Sequence, residues 1–320
     1  MEERERRPLR DHYGQALVEL GRANPRVVVV DADMSEGTMT VLFKKEFPQR
    51  FFDVGVAEQN LVGVGAGLSL AGLIPFVNTF AWLLALRAGD SLRTLVAYAR
   101  TNVKLIAGYG GFSGPMDGAT HQSITDLAVV RALPNMTVIS ASDPALVRAA
   151  VPAIAEFEGP VYLRLSRAEV EEIHGPGLEF RIGKGLLLRE GGDVTLISTG
   201  TITSRVLQAA SRLEARGIRA AVLELPTLKP LDEELVLEQI GRSGAAVTCE
   251  EHSVIGALGS AVAELAAERH PVPVVRVGVR DTFGETGPYE KLLDLYGMGV
   301  KDMVEAAERA LKLKEKGRRG

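Results

Sequence analysis

Polar side chains occur at three places where an apolar, strand-like run of the sequence ends and a loop or a helix begins. These segments are Asp31–Thr40, Gly55–Glu58 and Gly108–His121. In sheets of parallel strands, ligands bind beyond the carboxyl ends of the strands, so these segments are the candidate site. Glu58 also opens an apolar helical pattern, which predicts a partly desolvated carboxyl group. Such a group is suited to sharing a proton with a nitrogen atom of a ligand.

Several familiar catalytic and nucleotide-binding motifs are missing from the sequence. Gly63-x-Gly65 follows a predicted strand, but the dinucleotide-binding fingerprint needs a third glycine where Leu68 stands. There is no phosphate-binding G-x-x-x-x-G-K-[ST] loop and no G-x-S-x-G nucleophile elbow. The five histidines are scattered without an i, i+4 pair, so the sequence predicts no metal ligand in this chain.

The composition is that of an ordinary globular protein. Charged residues make up 24% of the 320 residues and the net charge is −4, which gives no basis for nucleic-acid binding. A single cysteine, Cys249, excludes a disulfide framework. The first ten residues contain no apolar run, so no signal peptide is expected and the cytoplasm is the expected compartment.

The stretch Gln59–Leu86 contains no charged residue and is long enough to raise the question of a membrane span. Its glycines weaken a long helix and Pro75 interrupts one, which favours a small-residue helix followed by a buried strand. The spacing Gly63-x-x-x-Gly67 lets another backbone approach closely. We therefore predict no membrane partner, and we expect the region Gly63–Gly72 to lie in the core or in a subunit interface.

Runs of β-branched residues alternate with helix-period segments along the whole chain, which predicts parallel sheets covered by helices on both faces. Asp143 followed by Pro144 predicts the start of one of these helices. The alternation breaks between Gly175-Pro-Gly and Gly191-Gly, where turn-forming residues replace it. The predicted fold class is α/β with two consecutive doubly wound domains: residues 1–175, a linker over 176–192, and residues 193–320.

Five segments, in order, resemble the C-terminal half of transketolase. They are RFFDVGVAEQNL (50–61), DGATHQ (117–122), RALPNM (131–136), YLRLSR (162–167) and LREGGDVTLISTG (188–200). The resemblance implies a pyrimidine-binding domain followed by the transketolase C-terminal domain. It also implies thiamine diphosphate as cofactor, with the diphosphate and its Mg²⁺ (or Ca²⁺) held mainly by a separate N-terminal subunit. The expected assembly is an α2β2 heterotetramer that moves a two-carbon ketol unit from a ketose phosphate to an aldose phosphate.

The same resemblance implies roles for individual residues. Glu58 matches the family's cofactor-activating glutamate, which is hydrogen-bonded to N1′ of the aminopyrimidine, and His121 matches a histidine that relays a proton at the substrate. The residues implied to contact the cofactor are Glu58, Asp33, Phe80, Trp82 and Leu83. Those implied to contact the substrate are Arg10, Asp117, His121, Arg167 and Tyr109.

Four positions depart from the family pattern. Gly37 replaces a common serine, Leu83 an aromatic residue, Tyr109 a histidine and Met116 a glutamate. Glu58 is not among these positions, so cofactor activation is expected to be intact. The identities of the donor and acceptor sugars, in contrast, are not determined by the resemblance. Two other functions also stay open. One is the β-type subunit of a 2-oxoacid enzyme that uses a donor such as pyruvate, and the other is a non-catalytic regulatory subunit with a degenerated pocket.

Overall fold

The computed structural model describes residues 7–175 and 177–317, so the predicted domain limits at residues 1, 176 and 320 lie outside the described part. In the first part of the chain the elements are β1 (Arg7–Pro8), α1 (Leu9–Ala23), β2 (Val27–Asp31), α2 (Ser35–Thr38), α3 (Val41–Glu46), β3 (Phe51–Asp53), α4 (Glu58–Leu70), β4 (Ile74–Phe80), α5 (Gly89–Ser91), β5 (Lys104–Gly108), α6 (Asp126–Ala132), β6 (Thr137–Ser140), α7 (Pro144–Glu156), β7 (Val161–Arg164) and β8 (Glu169–Val170). In the second part they are β9 (Leu186–Arg189), β10 (Val194–Thr199), α8 (Thr203–Glu214), β11 (Ala220–Glu224), β12 (Thr227–Lys229), α9 (Glu233–Ser243), β13 (Ala246–Ser253), α10 (Leu258–Arg269), β14 (Val274–Val279), α11 (Tyr289–Leu295) and α12 (Val300–Gly317). Short 3₁₀ helices occupy Pro48–Arg50 and Gly200–Ile202, and π-helical turns occupy Leu83–Arg87 and Leu92–Tyr98.

The first domain is built on a sheet that has seven strands within the described residues. Its strand order is β12–β6–β7–β5–β4–β2–β3, and neighbouring strands are parallel except for β12 beside β6. The register sets Asp31 opposite Asn78 and Phe80 opposite Gly108. The carboxyl ends of β2, β4 and β5 therefore meet at one edge of the sheet, which brings the polar segments after these strands close together.

The second sheet has five strands among the described residues, in the order β14–β13–β10–β11–β9, and it is parallel apart from β9. Strand β9 lies inside the segment predicted as a linker and pairs antiparallel with β11. Strand β12 follows β11 in the chain but joins the edge of the first sheet, with Thr227 opposite Ile139. The predicted pair of α/β domains is confirmed, with mixed strand directions at the sheet edges, while the exact domain limits stay a prediction.

Apolar side chains cover both faces of the first sheet. On one face α1 and α7 pack against the strands and bury Leu17 and Leu146. On the other face α4 and α6 contribute Leu61 and Leu127 to a cluster that continues into the second domain through Leu223. Because one hydrophobic core runs through both domains, burial of apolar surface holds the domains against each other.

Gly65 allows α4 to approach the central strand β4 closely. A Cβ atom at this position would stand 2.4 Å from Cγ2 of Val77, so a larger residue must displace the helix or the strand. The uncharged stretch of the sequence thus folds as α4, the fully buried strand β4 and the first π-helical turn. Within the described residues, no helix is both long enough and apolar enough to cross a bilayer.

Candidate active site

Glu58 begins helix α4, and only 2% of its surface is exposed. Its Oε2 atom accepts a hydrogen bond from Nη1 of Arg87 at 3.3 Å. Its Oε1 atom is buried and has no partner among the described residues. A buried carboxylate oxygen without a donor is costly, so such atoms normally find a partner. Glu58 therefore offers one hydrogen-bond acceptor to a ligand.

Arg87 is the counter-ion of Glu58 and was not predicted from the sequence. It ends the π-helical turn Leu83–Arg87, and its guanidinium carbon lies 5.3 Å from the centroid of the Trp82 ring. Helical turns of this kind are frequent at functional sites because the extra residue changes the direction of the side chains. One signal was available in the sequence: Arg87 is the charged residue at which the uncharged stretch ends.

An apolar cluster lies where β4 and β5 end. Phe80, Leu83 and Tyr109 are buried in it, and Met34 and Trp82 pack against them. The ring centroids of Phe80 and Tyr109 are 3.9 Å apart, with 31° between the ring planes. The structure thus brings the three apolar side chains predicted to contact the cofactor into one cluster, together with Tyr109. Such a cluster suits a flat heteroaromatic ring.

Two arginines line a narrow cleft next to this cluster. Arg10 and Arg167 share the cleft with Gly37, Tyr109 and Ser166. Nη1 of Arg10 donates to the carbonyl oxygen of Gly37 at 3.1 Å, and the guanidinium carbon of Arg167 lies 4.9 Å from the centroid of the Tyr109 ring. Two guanidinium groups at one cleft favour an anionic substrate group such as a phosphate or a sulfonate.

Three of the four departures from the family pattern, Gly37, Leu83 and Tyr109, lie around this cleft and cluster. A Cβ atom on Gly37 would stand 3.8 Å from Cε1 of Phe80 and 3.8 Å from the hydroxyl oxygen of Tyr109. Tyr109 has a φ angle of 59°, in the left-handed region that non-glycine residues rarely adopt. Its backbone strain indicates that the position of this ring is specified by its surroundings. Met116, the fourth departure, is 71% exposed.

The loop after β5 carries the other predicted substrate residues. The imidazole ring of His121 lies 6.2 Å from the ring of Phe80 and 6.2 Å from that of Trp82, edge-on to both. Oδ2 of Asp117 lies 3.7 Å from Nη1 of Arg167. The structure therefore places both residues at the same edge of the sheet as the apolar cluster and the arginines.

The loop after β2 is organised by Asp31, which begins the predicted segment Asp31–Thr40 but was given no role of its own. The buried carboxylate of Asp31 accepts hydrogen bonds from the backbone N–H of Met34 at 2.6 Å and from the hydroxyl groups of Thr38 and Thr40 at 2.9 and 2.8 Å. Burial raises the pKa of Asp31, although these hydrogen bonds oppose the shift. Asp33, the predicted cofactor contact, lies in the same loop and is exposed. A carboxylate that ends the apolar run VVVVD was the available signal for Asp31.

Known proteins are similar to this chain in both sequence and fold. The chain matches the pyrimidine-binding domain of transketolase over residues 6–172 and the transketolase C-terminal domain over residues 183–303. A 6-deoxy-6-sulfo-D-fructose transketolase subunit from a Clostridium species is 44% identical over 93% of this chain and 93% of its own length. A putative transketolase C-terminal section from Methanocaldococcus jannaschii is 42% identical over 93% of this chain and 94% of its own length. A solved split-gene transketolase, described as an inactive β4 tetramer, is 51% identical and has a TM-score of 0.91, covering 96% of this chain and 99% of that one. The chain therefore belongs to the transketolase family, as the resemblance of its motifs predicted.

Proposed function

We propose that this chain is the C-terminal subunit of a split transketolase that transfers a two-carbon ketol unit from a ketose phosphate to an aldose phosphate with thiamine diphosphate. The observation that carries the proposal is the Oε1 atom of Glu58, which is buried without a partner among the described residues. The aminopyrimidine ring of thiamine fits this site, because its N1′ atom takes a carboxyl partner and its flat ring takes aromatic and apolar neighbours. Phe80 and Leu83 are the neighbours available in this chain.

The side chains of this subunit divide the chemistry among them. When bound, thiamine diphosphate supplies a carbon nucleophile for the ketose carbonyl group. Glu58 holds a proton at N1′ of the aminopyrimidine, while Arg87 fixes the carboxylate through its other oxygen. Nδ1 of His121 is hydrogen-bonded to the hydroxyl group of Thr120 at 3.0 Å. This leaves Nε2 of His121 to exchange a proton with a sugar hydroxyl group.

The two arginines of the cleft favour a sugar with an anionic group at its far end. Arg10 and Arg167 bind a phosphate in this proposal, and Asp117 takes a hydroxyl group of the same sugar. Pyruvate has no distal anionic group for such a pair, which favours a ketose donor over the 2-oxoacid alternative. The 44% identical relative is named for a ketose that carries a sulfonate, so an anionic ketose other than a phosphate is a second candidate donor.

We further propose that an N-terminal partner subunit holds the diphosphate and the Mg²⁺ ion in an α2β2 heterotetramer. Within residues 7–175 and 177–317, no group of three or more His, Cys, Asp or Glu side chains is placed to bind a metal ion. Self-association is supported by exposed apolar side chains on α4 and the π-helical turns, namely Leu70, Leu86, Leu95 and Tyr98. A Cβ atom on Gly67 of α4 would have no atom within 4 Å, so this helix face is open to a second chain.

The test is turnover by the chain co-purified with its N-terminal partner, on xylulose 5-phosphate, 6-deoxy-6-sulfofructose and pyruvate as donors. Glu58→Gln is expected to lower turnover by about 10²–10⁴-fold, the usual contribution of a positioned proton-transfer group. Glu19→Gln, on the exposed side of α1, is the matched control and keeps wild-type turnover. Size-exclusion chromatography checks that both variants assemble with the partner.

Each outcome of this experiment separates one function from the others. Full activity of Glu58→Gln with an anionic ketose would refute the proposal. Turnover of pyruvate alone would identify a 2-oxoacid enzyme subunit. A wild-type complex that binds thiamine diphosphate in calorimetry but turns over none of the donors would identify a regulatory subunit.

A further inference from the structure

We infer that the second domain positions the His121 loop (residues 110–123) for the substrate through Glu251, which makes Glu251 a positioning residue. The consequence of this positioning for catalysis rests on the proposed function, in which Asp117 and His121 of the loop contact the substrate. Glu251 lies in β13 of the second domain and is buried, with 3% of its surface exposed. The proposed chemistry gives this buried carboxylate no role.

The two carboxylate oxygens of Glu251 have different partners. Oε1 accepts a hydrogen bond from the backbone N–H of Phe112 in the His121 loop at 2.6 Å. Oε2 accepts hydrogen bonds from the hydroxyl groups of Thr201 at 3.0 Å and Tyr289 at 2.7 Å, both in the second domain. The side chain is therefore fixed on its own domain by one oxygen and holds the first residues of the loop by the other. Hydrogen bonds to a charged acceptor are stronger than those between neutral groups.

Two glycines, one in the His121 loop and one in the second domain, show how closely the loop packs against the second domain. A Cβ atom on Gly111 would stand 2.2 Å from Oε1 of Glu251. A Cβ atom on Gly284 would stand 1.9 Å from Oε1 of Gln122 and 2.5 Å from Cε1 of Phe112. Neither position has room for a larger side chain, so the two surfaces are in direct contact on both sides of the interface.

The second domain also holds the rest of the loop. Nε2 of Gln122 donates to the carbonyl oxygen of Glu285 at 2.9 Å, and the backbone N–H of Gly287 donates to the carbonyl oxygen of Pro115 at 3.2 Å. The ring of Phe112 packs on that of Tyr296 with 4.8 Å between centroids. Met116 and Asp117 at the loop tip are exposed, so these anchors decide where the tip lies.

A buried arginine of the first domain connects the end of the loop to the same strand. Nη2 of Arg164 donates to the carbonyl oxygens of Ser123 at 2.8 Å and Glu251 at 3.1 Å. Nε of Arg164 donates to Oδ2 of Asp126 at 3.0 Å, which pairs its charge. Both ends of the loop are thus held at Glu251, one by its side chain and the other, through Arg164, by its backbone.

The experiment compares substitutions of two adjacent buried carboxylates. Glu251→Ala removes the acceptor of the Phe112 N–H, whereas Glu251→Gln keeps an oxygen for that N–H and offers its amide to the hydroxyl groups. Glu250→Ala is the matched control, because Glu250 is equally buried but accepts from the backbone N–H groups of Leu258 and Gly259 at the start of α10. Tyr289→Phe removes one donor from Oε2 and is a milder second variant.

The first readout is amide hydrogen exchange of the chain by mass spectrometry, in peptides that cover residues 112–123. Exchange should become at least about tenfold faster in Glu251→Ala, as expected for the loss of a charged hydrogen bond that closes a loop. It should rise less in Tyr289→Phe, stay near the wild-type rate in Glu251→Gln, and be unchanged in Glu250→Ala. Trp82, the single tryptophan of the chain, lies against His121. Its fluorescence emission should therefore also change when the His121 loop is displaced.

The second readout is steady-state kinetics of the complex with the partner subunit. Glu251→Ala should raise the KM for the ketose donor and lower kcat about tenfold, with an unchanged Kd for thiamine diphosphate, and Glu251→Gln should restore both. Wild-type exchange of the loop in Glu251→Ala, or equally fast exchange in Glu250→Ala, would overturn the inference. If the loop responds as expected but the wild-type complex turns over no donor, the proposed function fails while the positioning by Glu251 stands.

Discussion

Replacing Gly65 with alanine should destabilise the protein, whereas the same change two residues later should not. The Cβ atom of Gly65→Ala would stand 2.4 Å from Cγ2 of Val77, and 3.6 Å from Cγ1 of Val103. Van der Waals contact between carbon atoms requires about 3.5–4.0 Å, so α4 or β4 must move by more than an ångström. Val77 cannot move aside by itself, because its side chain is β-branched and buried.

The size of the effect follows from two opposing contributions. Overpacking a tightly packed core costs about 1–3 kcal/mol. Exchanging glycine for alanine inside a helix stabilises it by about 1 kcal/mol. Gly67→Ala receives the helix contribution alone, because nothing lies within 4 Å of its Cβ position. The difference between the two variants therefore isolates the overpacking, and we expect Gly65→Ala to be about 1–3 kcal/mol less stable than Gly67→Ala.

Urea unfolding followed by circular dichroism measures this difference. Runs at two protein concentrations separate any contribution from self-association. Equal free energies of unfolding for the two variants would refute the close approach of α4 to β4. Since Glu58 begins the same helix, Gly65→Ala should also lower turnover of the assembled enzyme.

Two further predictions concern a buried ion pair and the substrate cleft. Burial alone lowers the pKa of His174, but its hydrogen bond to Glu224 at 2.8 Å and the charge of that carboxylate raise it above its ordinary value. The stabilisation by this pair is therefore complete below a pH of about 6.5 and is lost as the pH rises through the raised pKa. The stability difference between wild type and His174→Asn in urea unfolding should shrink with rising pH, and a constant difference would contradict the pairing. In the cleft, the double variant Gly37→Ser with Tyr109→His should change the ratio of kcat/KM between xylulose 5-phosphate and 6-deoxy-6-sulfofructose by about tenfold or more. An unchanged ratio would show that these two positions do not set the donor preference.

Much of the site could be located from the sequence, because its residues stand where strand-like runs end. Phe80 ends β4, and Tyr109 directly follows β5. Since parallel strands present their carboxyl ends at one edge, such residues come together without any knowledge of the loops. The start of α7 was predicted for a similarly local reason: Oδ1 of Asp143 accepts the N–H of Leu146 at 2.8 Å, as an N-cap residue should.

Other features could not be read from residue periodicity. The apolar pattern of Leu83–Arg100, after β4, is that of one continuous helix, but the segment contains π-helical turns. In the first of them the N–H of Ala88 donates to the carbonyl oxygen of Leu83 at 2.9 Å. A single extra residue in a turn leaves the apolar pattern nearly unchanged. It nevertheless decides the direction of Arg87, and so the counter-ion of Glu58.

The sequence by itself thus determined the alternating elements, the two α/β domains, the family and the edge of the sheet where Glu58 lies, because capping, periodicity and strand ends act over a few residues. The tertiary structure alone decided which distant groups meet. Arg87 reaches Glu58 across 29 positions and Glu251 reaches Phe112 across 139, and β12 leaves its own domain to pair with β6. These contacts depend on how the two sheets share one core, and burial of apolar surface, which is non-directional, does not specify that arrangement along the chain.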